Sequence, residues 1–387
     1  PLIGDDFSTY SKNIVTGSGK KAVFTGGISY AYAKEYLQDY PEVKLCKIST
    51  PYPFPEKFVL SCLEGVDEVI CLEELSPFIE AEVTKLIGKH RLNIKVYGKE
   101  SGYVKTSGEN SADYVAKVLS DFLKIPSQEA GIYLGDMPDL PVRPPVLCAG
   151  CPHRASFYAV KKAMEGKNAY FCGDIGCYTL GNAMPLDMVD TCLCMGAGIT
   201  MAQGFHWVDK EGTCFAFVGD STFFASGMTG IVNAVYNEAD MILCVLDNST
   251  TAMTGHQPHP GTGKNMMGDI VDKISIEHIL EGMGVKKIVT VNPLDLNKSV
   301  EVIKDCASLP GVKAIIFKSP CIALFKPEKK LCISDKCIQC KKCIREIGCP
   351  AISTVKGKVT INEDLCTGCG LCSQVCPVNA IGGDLDE

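Results

Sequence analysis

The sequence has no long apolar run and no excess of positive charge. No stretch approaches the roughly 18 apolar residues that a membrane span requires, and the N-terminus does not read as a secretory leader. We therefore expect no membrane and a reducing, cytoplasmic setting. Lys and Arg number 38 against 45 Asp and Glu, a net charge of −7 with the signs interspersed, which argues against nucleic acid as a partner. The chain begins Pro1-Leu2 without a Met and is read as a fragment or a processed piece. Cysteine is what the sequence has in excess, with 22 residues. In a reducing setting, tight CxxC spacings point to metal rather than to disulfides.

With 387 residues, 46% hydrophobic and 21% charged, the chain is globular and long enough for two or three domains. Residues 1–137 alternate β-branched runs (KAVFTGG, VKLCKIST, VDEVICLEE, LNIKVYG) with amphipathic ones (AYAKEYLQDY, EKFVLSCLEG, PFIEAEVTKLIGK), the pattern of a small parallel α/β sheet. Gly26-Gly27 is read as a plain strand-to-helix turn, with phosphate binding as the sharper alternative. The prolines of residues 138–145, PDLPVRPP, forbid helix and ladder alike and mark a linker. A second α/β pattern fills 146–327, where the strands CFAFVG, MILCVLD, KKIVTV and KAIIFK alternate with helical segments.

Residues 328–387 are too few to bury much apolar core, yet they hold nine cysteines, eight of them in two similar runs, CIQCKKCIREIGCPAI and CTGCGLCSQVCPVNAI. The second run has the bacterial [4Fe-4S] spacing, and in two-cluster domains the fourth cysteine of each run ligates the other cluster. We therefore assign Cys337, Cys340, Cys343 and Cys376 to one cluster and Cys366, Cys369, Cys372 and Cys349 to the other. Five residues rather than three precede Cys349, which calls for a wider loop. Structural zinc is the alternative. Cys332 is read as a packed thiol. Cys46, Cys62, Cys71, Cys172, Cys192, Cys194, Cys214, Cys244 and Cys306 are read as small buried hydrophobes.

Clusters only carry electrons, so a source is sought upstream. Gly219-Asp220-Ser221 ends one strand and opens a helix, and Asn248 ends the next strand. Free N–H groups at the helix start suit a phosphate. Asp220 and Asn248 offer hard oxygens to Mg²⁺, and the spacing is that of a thiamine diphosphate motif. A capping Asp and a turn Asn are the alternative. His153, His256 and His259 lie in loops near this face and are candidates for a substrate carboxylate or for a structural role.

Five segments carry a wider resemblance: Cys148–Arg154 (CAGCPHR), Gly173–Gly181 (GDIGCYTLG), Met195–Gly198 (MGAG), Gly219–Phe224 (GDSTFF) and Asp247–Pro258 (DNSTTAMTGHQP). With the wide-gap first run, they make the chain similar to the α subunits of indolepyruvate:ferredoxin oxidoreductases, in the 2-oxoacid:ferredoxin oxidoreductase family. The resemblance implies an α/β fold of two parallel-sheet domains, transketolase C-terminal-like and then thiamine diphosphate-binding, followed by a small two-cluster ferredoxin-like α+β domain. It also implies Mg²⁺ held by Asp220, Asn248 and the Thr250 carbonyl, and a diphosphate lined by Gly219, Ser221, Thr254 and Gly255. Met195, Gly196, Ala197 and Gly198 would lie against the cofactor. Ser221 replaces the second glycine of the general motif.

The implied reaction is oxidative decarboxylation of an aryl 2-oxo acid, with coenzyme A taking the acyl group and ferredoxin the electrons. A small β subunit would be a partner. A pyrimidine-binding domain, for which we find no room in this sequence, would supply the Glu that activates thiamine, so no catalytic base is named. Related enzymes take their cluster nearest thiamine from a CxxC, a later GC and a distant PC, and this implies a third [4Fe-4S] cluster at Cys148, Cys151, Cys177 and Cys321. Zinc or buried thiols are the alternative there. For the whole chain, the alternatives are an electron-transfer module with a non-catalytic thiamine-like scaffold, a non-oxidative decarboxylase, and an oxidoreductase for another 2-oxo acid.

Overall fold

The computed structural model describes residues 2–126, 140–327 and 330–383. It contains two compact units, Pro1–Leu140 and Pro141–Glu387. Part of the expected linker, residues 138 and 139, lies outside the described residues, as does 127–137 of the first expected domain. Residues 140–145 are exposed and carry neither helix nor strand.

The first unit runs α1 (Leu2–Ser8), β1 (Ile14–Thr16), β2 (Lys21–Thr25), α2 (Gly27–Tyr36), β3 (Val43–Lys47), α3 (Glu56–Leu63), β4 (Glu68–Leu72), α4 (Phe78–Lys89), β5 (Lys95–Tyr97) and α5 (Ala112–Leu123). Its sheet has the order β1-β3-β2-β4-β5. β2 to β5 are parallel, and β1 is an antiparallel edge strand that the sequence pattern did not reveal. Alternate residues divide between two cores: Ala22, Phe24, Cys46, Val69 and Cys71 on one face, Val23, Leu45, Ile70 and Leu72 on the other. Burial on both faces is why these strands read as continuous apolar runs. At Gly26 a Cβ would meet the Ile48 carbonyl oxygen at 2.7 Å, so close packing alone explains that glycine.

The second unit begins with α6 (Pro152–Ala163), β6 (Ala169–Gly173), β7 (Thr191–Cys192), α7 (Ala197–Val208), β8 (Thr213–Gly219), α8 (Asp220–Thr222), a π-helical turn (Phe223–Gly227) and α9 (Met228–Tyr236). It continues with β9 (Met241–Asp247), α10 (Ile276–Gly282), β10 (Lys287–Val291), α11 (Leu296–Ala307) and β11 (Val312–Lys318). The six strands form a parallel sheet in the order β10-β11-β9-β8-β6-β7. One continuous helix is expected after Asp220; instead the π-helical turn interrupts it, a feature common at functional sites.

The cysteine-rich segment comprises β12 (Cys332–Ile333), α12 (Lys342–Ile347), β13 (Ile352–Val355), β14 (Lys358–Ile361), α13 (Leu371–Gln374) and β15 (Ile381–Gly382). Its β12–β15 and β13–β14 pairs are antiparallel. Ile347, Ile352, Val359, Leu371 and Val375 join Phe157, Phe215, Phe217 and Ile315 in one core, so this small segment borrows apolar packing from the parallel sheet's domain.

Candidate functional site

Register creates the site. Gly219 of β8 pairs with Leu246 of β9, which sets Asp220 and Asn248 side by side at the carboxyl ends of two central strands, where open α/β sheets bind ligands. Both are buried. Asp220 accepts from its neighbours, with Oδ1 2.8 Å from the Ser221 amide and Oδ2 2.7 Å from the Ser249 amide. His259 Nε2 stands 3.1 Å from Asp220 Oδ2, at an angle that makes no hydrogen bond. Asn248 Nδ2 is 3.3 Å from His153 Nε2. His153 lies on α6 rather than in a loop, and burial pushes its imidazole down to about 4 while Asp220 pulls it up. The third expected histidine, His256, is exposed. Burial and the neighbouring Asp220 push the Asp247 carboxyl up, and Lys318 pulls it down.

A cavity of ≈ 90 Å³ opens over this corner, lined by His153, Cys177, Met195, Gly219, Asp220, Ser221, Asn248, Thr250 and Thr254 among the expected residues. Gly196, Ala197, Gly198 and Gly255 do not line it. Gly196 and Ala197 stand behind Met195 at the start of α7. Sequence reasoning gave no role to Asp174 and Tyr178, which brace the cavity. Asp174 is fully buried; it accepts from the Tyr178 hydroxyl and, at 2.6 Å, from the Gly196 amide. Burial raises its carboxyl to about 6, against those two hydrogen bonds. Ser226, in the π-helical turn, donates to the Met195 carbonyl at 2.9 Å. The MGAG loop is thus held from two sides.

Two smaller cavities belong to the cysteine-rich segment. Cys337, Cys340, Cys343 and Cys376 line one, with Ile333, Val359 and Ile381. Cys349, Cys366, Cys369 and Cys372 line the other, with Ala149 and Gly150 of the upstream CAGC loop. Those are the two crossed sets expected from spacing. Backbone amides reach the sulfurs: Ala380 N is 3.2 Å from Cys376 Sγ and Leu331 N 3.5 Å from Cys366 Sγ. Burial raises the Cys372 thiol to about 12, helped by neighbouring cysteines.

The four remaining candidates approach one another as well. Cys177 is raised by burial and then by the neighbouring Cys321 and Cys148. Cys151 is pushed to about 12 by burial, although the His153 and Arg154 amides donate to it and Cys148 is nearby. The Cys321 amide donates to the Asn248 carbonyl at 2.9 Å. That bond, together with the Ser319 amide on the Asp247 carbonyl at 3.0 Å, ties the Cys321 loop to the end of β9. Three other expectations fail: Cys192, Cys194 and Cys332 are exposed rather than buried or packed, because they sit on two-residue edge strands or in a loop with no second layer over them. Among the described residues, no three His, Cys, Asp or Glu side chains are grouped as round a single metal ion, and no helix is long and apolar enough to cross a membrane.

Residues 174–317 match the family described as thiamine pyrophosphate enzyme, C-terminal TPP binding domain, and residues 359–382 match the 4Fe-4S binding domain. The chain is similar to the indolepyruvate oxidoreductase subunit IorA of Archaeoglobus fulgidus, 38% identical over 379 residues covering 94% of this chain and 60% of that protein. It is also similar to the subunit of that name from Methanothermobacter thermautotrophicus, 39% identical over 368 residues covering 93% of this chain and 59% of that protein. It thus spans about 60% of the length of these curated relatives. A shorter match, 31% identical over 31% of this chain and 46% of the other, is to the 2-oxoglutarate synthase subunit KorB of Archaeoglobus fulgidus. By these matches the chain resembles the indolepyruvate oxidoreductase subunits over 93–94% of its length, with a thiamine pyrophosphate-binding region followed by a 4Fe-4S-binding region.

Proposed function

We propose that this chain carries the thiamine diphosphate and iron–sulfur centres of an oxidoreductase that decarboxylates aryl 2-oxo acids such as indolepyruvate. Electrons leave to ferredoxin, and the acyl group goes to coenzyme A. The observation that supports this reading most is the pairing, in one compact unit, of an oxygen-donor cavity with cavities lined by four cysteines each.

The donor sets suit the groups. Mg²⁺ takes hard oxygens, and the Asp220 carboxylate, the Asn248 amide oxygen and the Thr250 carbonyl are of that kind. Gly219 belongs to a tight wall, since a Cβ there would meet the Tyr178 ring at 2.8 Å. Gly219, Ser221, Thr254 and Gly255 would hold the diphosphate, with Met195 to Gly198 beside the cofactor. When bound, thiamine diphosphate supplies the electron sink for decarboxylation. His153, held neutral by burial, orients the Asn248 amide. The walls of Met195, Tyr178 and Leu246 limit the access of water. Cys148, Cys151, Cys177 and Cys321 would hold a [4Fe-4S] cluster next to this cavity. The sets Cys337, Cys340, Cys343, Cys376 and Cys349, Cys366, Cys369, Cys372 would hold two more. A small β subunit and a pyrimidine-binding domain complete the enzyme. Among the described residues no glutamate lines the cavity, so the activating Glu is assigned to that domain.

Calorimetry of the chain with thiamine diphosphate and Mg²⁺ tests the reading. Saturable, Mg²⁺-dependent binding is expected, weakened more than about 100-fold by Asp220→Ala, since even outer-shell changes cost about 10–100-fold in metal affinity. No binding would leave an electron carrier alone. A panel of indolepyruvate, phenylpyruvate, pyruvate and 2-oxoglutarate, run on the assembled complex, tests the substrate. A wide margin for pyruvate or 2-oxoglutarate would sink the aryl assignment.

A further inference from the structure

Arg154 stands on the first turn of α6, three residues after Cys151, and is 4% exposed. Its Nη1 donates to the carbonyls of Ile347 and Gly348, both at 2.9 Å, and its Nη2 to the Leu147 carbonyl. One side chain therefore joins the residue before Cys148 to the two residues before Cys349. Its Nε is buried without a partner. Burial pushes its guanidinium down, and the neighbours that most oppose this are the sulfurs of Cys349, Cys151, Cys369 and Cys148. Among the described residues no carboxylate pairs with it.

A buried cation without a counter-charge costs several kcal/mol, and three carbonyl dipoles answer only part of that. The missing negative charge is close at hand in two sets of four cysteines, each of which contributes two thiols to the field of the guanidinium. The sets are near neighbours. Ala149 and Gly150 line the Cys349 cavity, and a Cβ on Gly150 would collide with the Thr367 side chain. A cluster held by four thiolates is net negative and becomes more so by one charge on reduction. A fixed cation beside it therefore stabilises the reduced form more than the oxidised one, and net charge is one of the levers that set these potentials. Arg keeps its proton and so cannot escape the cost by neutralising itself.

We propose that Arg154 is a positioning residue for electron transfer, fixing the CAGC loop against the Cys349 loop and raising the reduction potential of the two clusters beside it. The inference rests on the cluster assignment proposed above. It includes an internal control in the Cys337, Cys340, Cys343, Cys376 set, whose cavity is lined by no residue of the CAGC loop or of the Ile347-Gly348-Cys349 turn that Arg154 joins. In the step concerned, one electron leaves the cluster at Cys148 and enters the cluster at Cys349, with no bond made or broken and no other reactant.

The test compares wild type, Arg154→Gln and Arg154→Lys as full chains purified without oxygen, by iron analysis and by redox titration followed by electron paramagnetic resonance. Arg154→Gln removes the charge and keeps donors for the carbonyls. With about twelve iron atoms per chain retained, its cluster at Cys349 should be about tenfold harder to reduce, which for one electron is a fall of about 59 mV. The cluster at Cys337 should not move, and Arg154→Lys should restore most of the shift. Unchanged potentials in an Arg154→Gln chain that keeps its iron overturn the inference. If that variant loses iron, the Lys chain decides: a potential near wild type supports the role of charge, and a fall of the full tenfold refutes it. A wild-type chain with iron for fewer clusters, the Cys349 or Cys148 set being empty, overturns the assignment beneath it and the inference with it.

Discussion

In both compact units a parallel sheet is buried on its two faces, with alternate residues feeding separate cores. What differs is the placement of the reactive side chains. In the first unit Cys46 and Cys71 lie inside β3 and β4, Cys62 lies on α3, and all three are buried in one core. Burial pushes the Cys71 thiol well above its ordinary value. In the second unit Cys172, Cys214 and Cys244 behave alike, inside β6, β8 and β9. The cysteines that line cavities sit instead in loops and at helix starts, as Cys337, Cys349, Cys366 and Cys376 do. The strand ends differ in the same way. β2 ends in Thr25, whose hydroxyl is engaged by the Leu72 carbonyl at 2.7 Å, while β8 and β9 lead into Asp220 and Asn248, which line a cavity. The sheet is thus a common support, and the chemistry is decided by what its loops carry.

The sharpest way to break that comparison is to remove one cysteine of each kind. Cys349→Ala should lower iron from about twelve to about eight atoms per chain. It should also open residues 330–383 to proteolysis, because two two-stranded ladders and two short helices hold little apolar core of their own. Cys71→Ala should leave the iron count unchanged and cost about 1 kcal/mol of stability, the range of a small core truncation. Iron analysis and limited proteolysis read the first, chemical denaturation the second. A fall in iron with Cys71→Ala would erase the distinction between the units.

The second effect concerns Asp174, whose carboxyl burial raises from an ordinary 3.8 to about 6. The folded pKa lies above the unfolded one, so this group's stabilising contribution is complete below about pH 4 and is lost as pH rises through about 6. A rise of that size corresponds to about 3 kcal/mol. Asp174→Asn removes that slope: relative to wild type, it should gain stability on going from about pH 4.5 to about pH 7, as read from urea midpoints. At the same time it weakens the tie to Gly196, so thiamine diphosphate affinity should fall. An equal pH dependence in the two proteins would show that the carboxyl titrates normally.

Much of this was legible in the sequence. The apolar runs marked the parallel strands, and the two cysteine runs marked the two groups of four that line separate cavities, because spacing along a loop directly limits which thiols can meet. Asp220 and Asn248 were legible as strand ends separated by one helix. What escaped was long-range. β1 pairs antiparallel through three residues, too few to show a period. Asp174 and Arg154 act through partners 22 and 193 residues away, and no local pattern announces such contacts. The π-helical turn likewise depends on packing, since Phe223–Gly227 reads locally as ordinary helix. Exposure of Cys192 and Cys194 follows from the edge position of β7, which sheet order alone reveals.

The smallest expected effect is at Ser221, the residue that departs from the usual glycine. It lines the cavity, and its amide donates to Asp220 Oδ1 at 2.8 Å. The amide bond is a backbone property that glycine would keep, so Ser221→Gly leaves the proposed metal ligand oriented. What it removes is one hydroxyl, a net contribution of about 1 kcal/mol if it meets the diphosphate. It adds backbone freedom inside the short helix α8, a further cost of about 0.5–1 kcal/mol. Together these predict a loss of thiamine diphosphate affinity of about 10–30-fold, measured by calorimetry, with iron content unchanged. A loss as large as that of Asp220→Ala would mean that the hydroxyl, and not the backbone turn, is the main anchor of the phosphate. No loss would mean that the turn alone suffices.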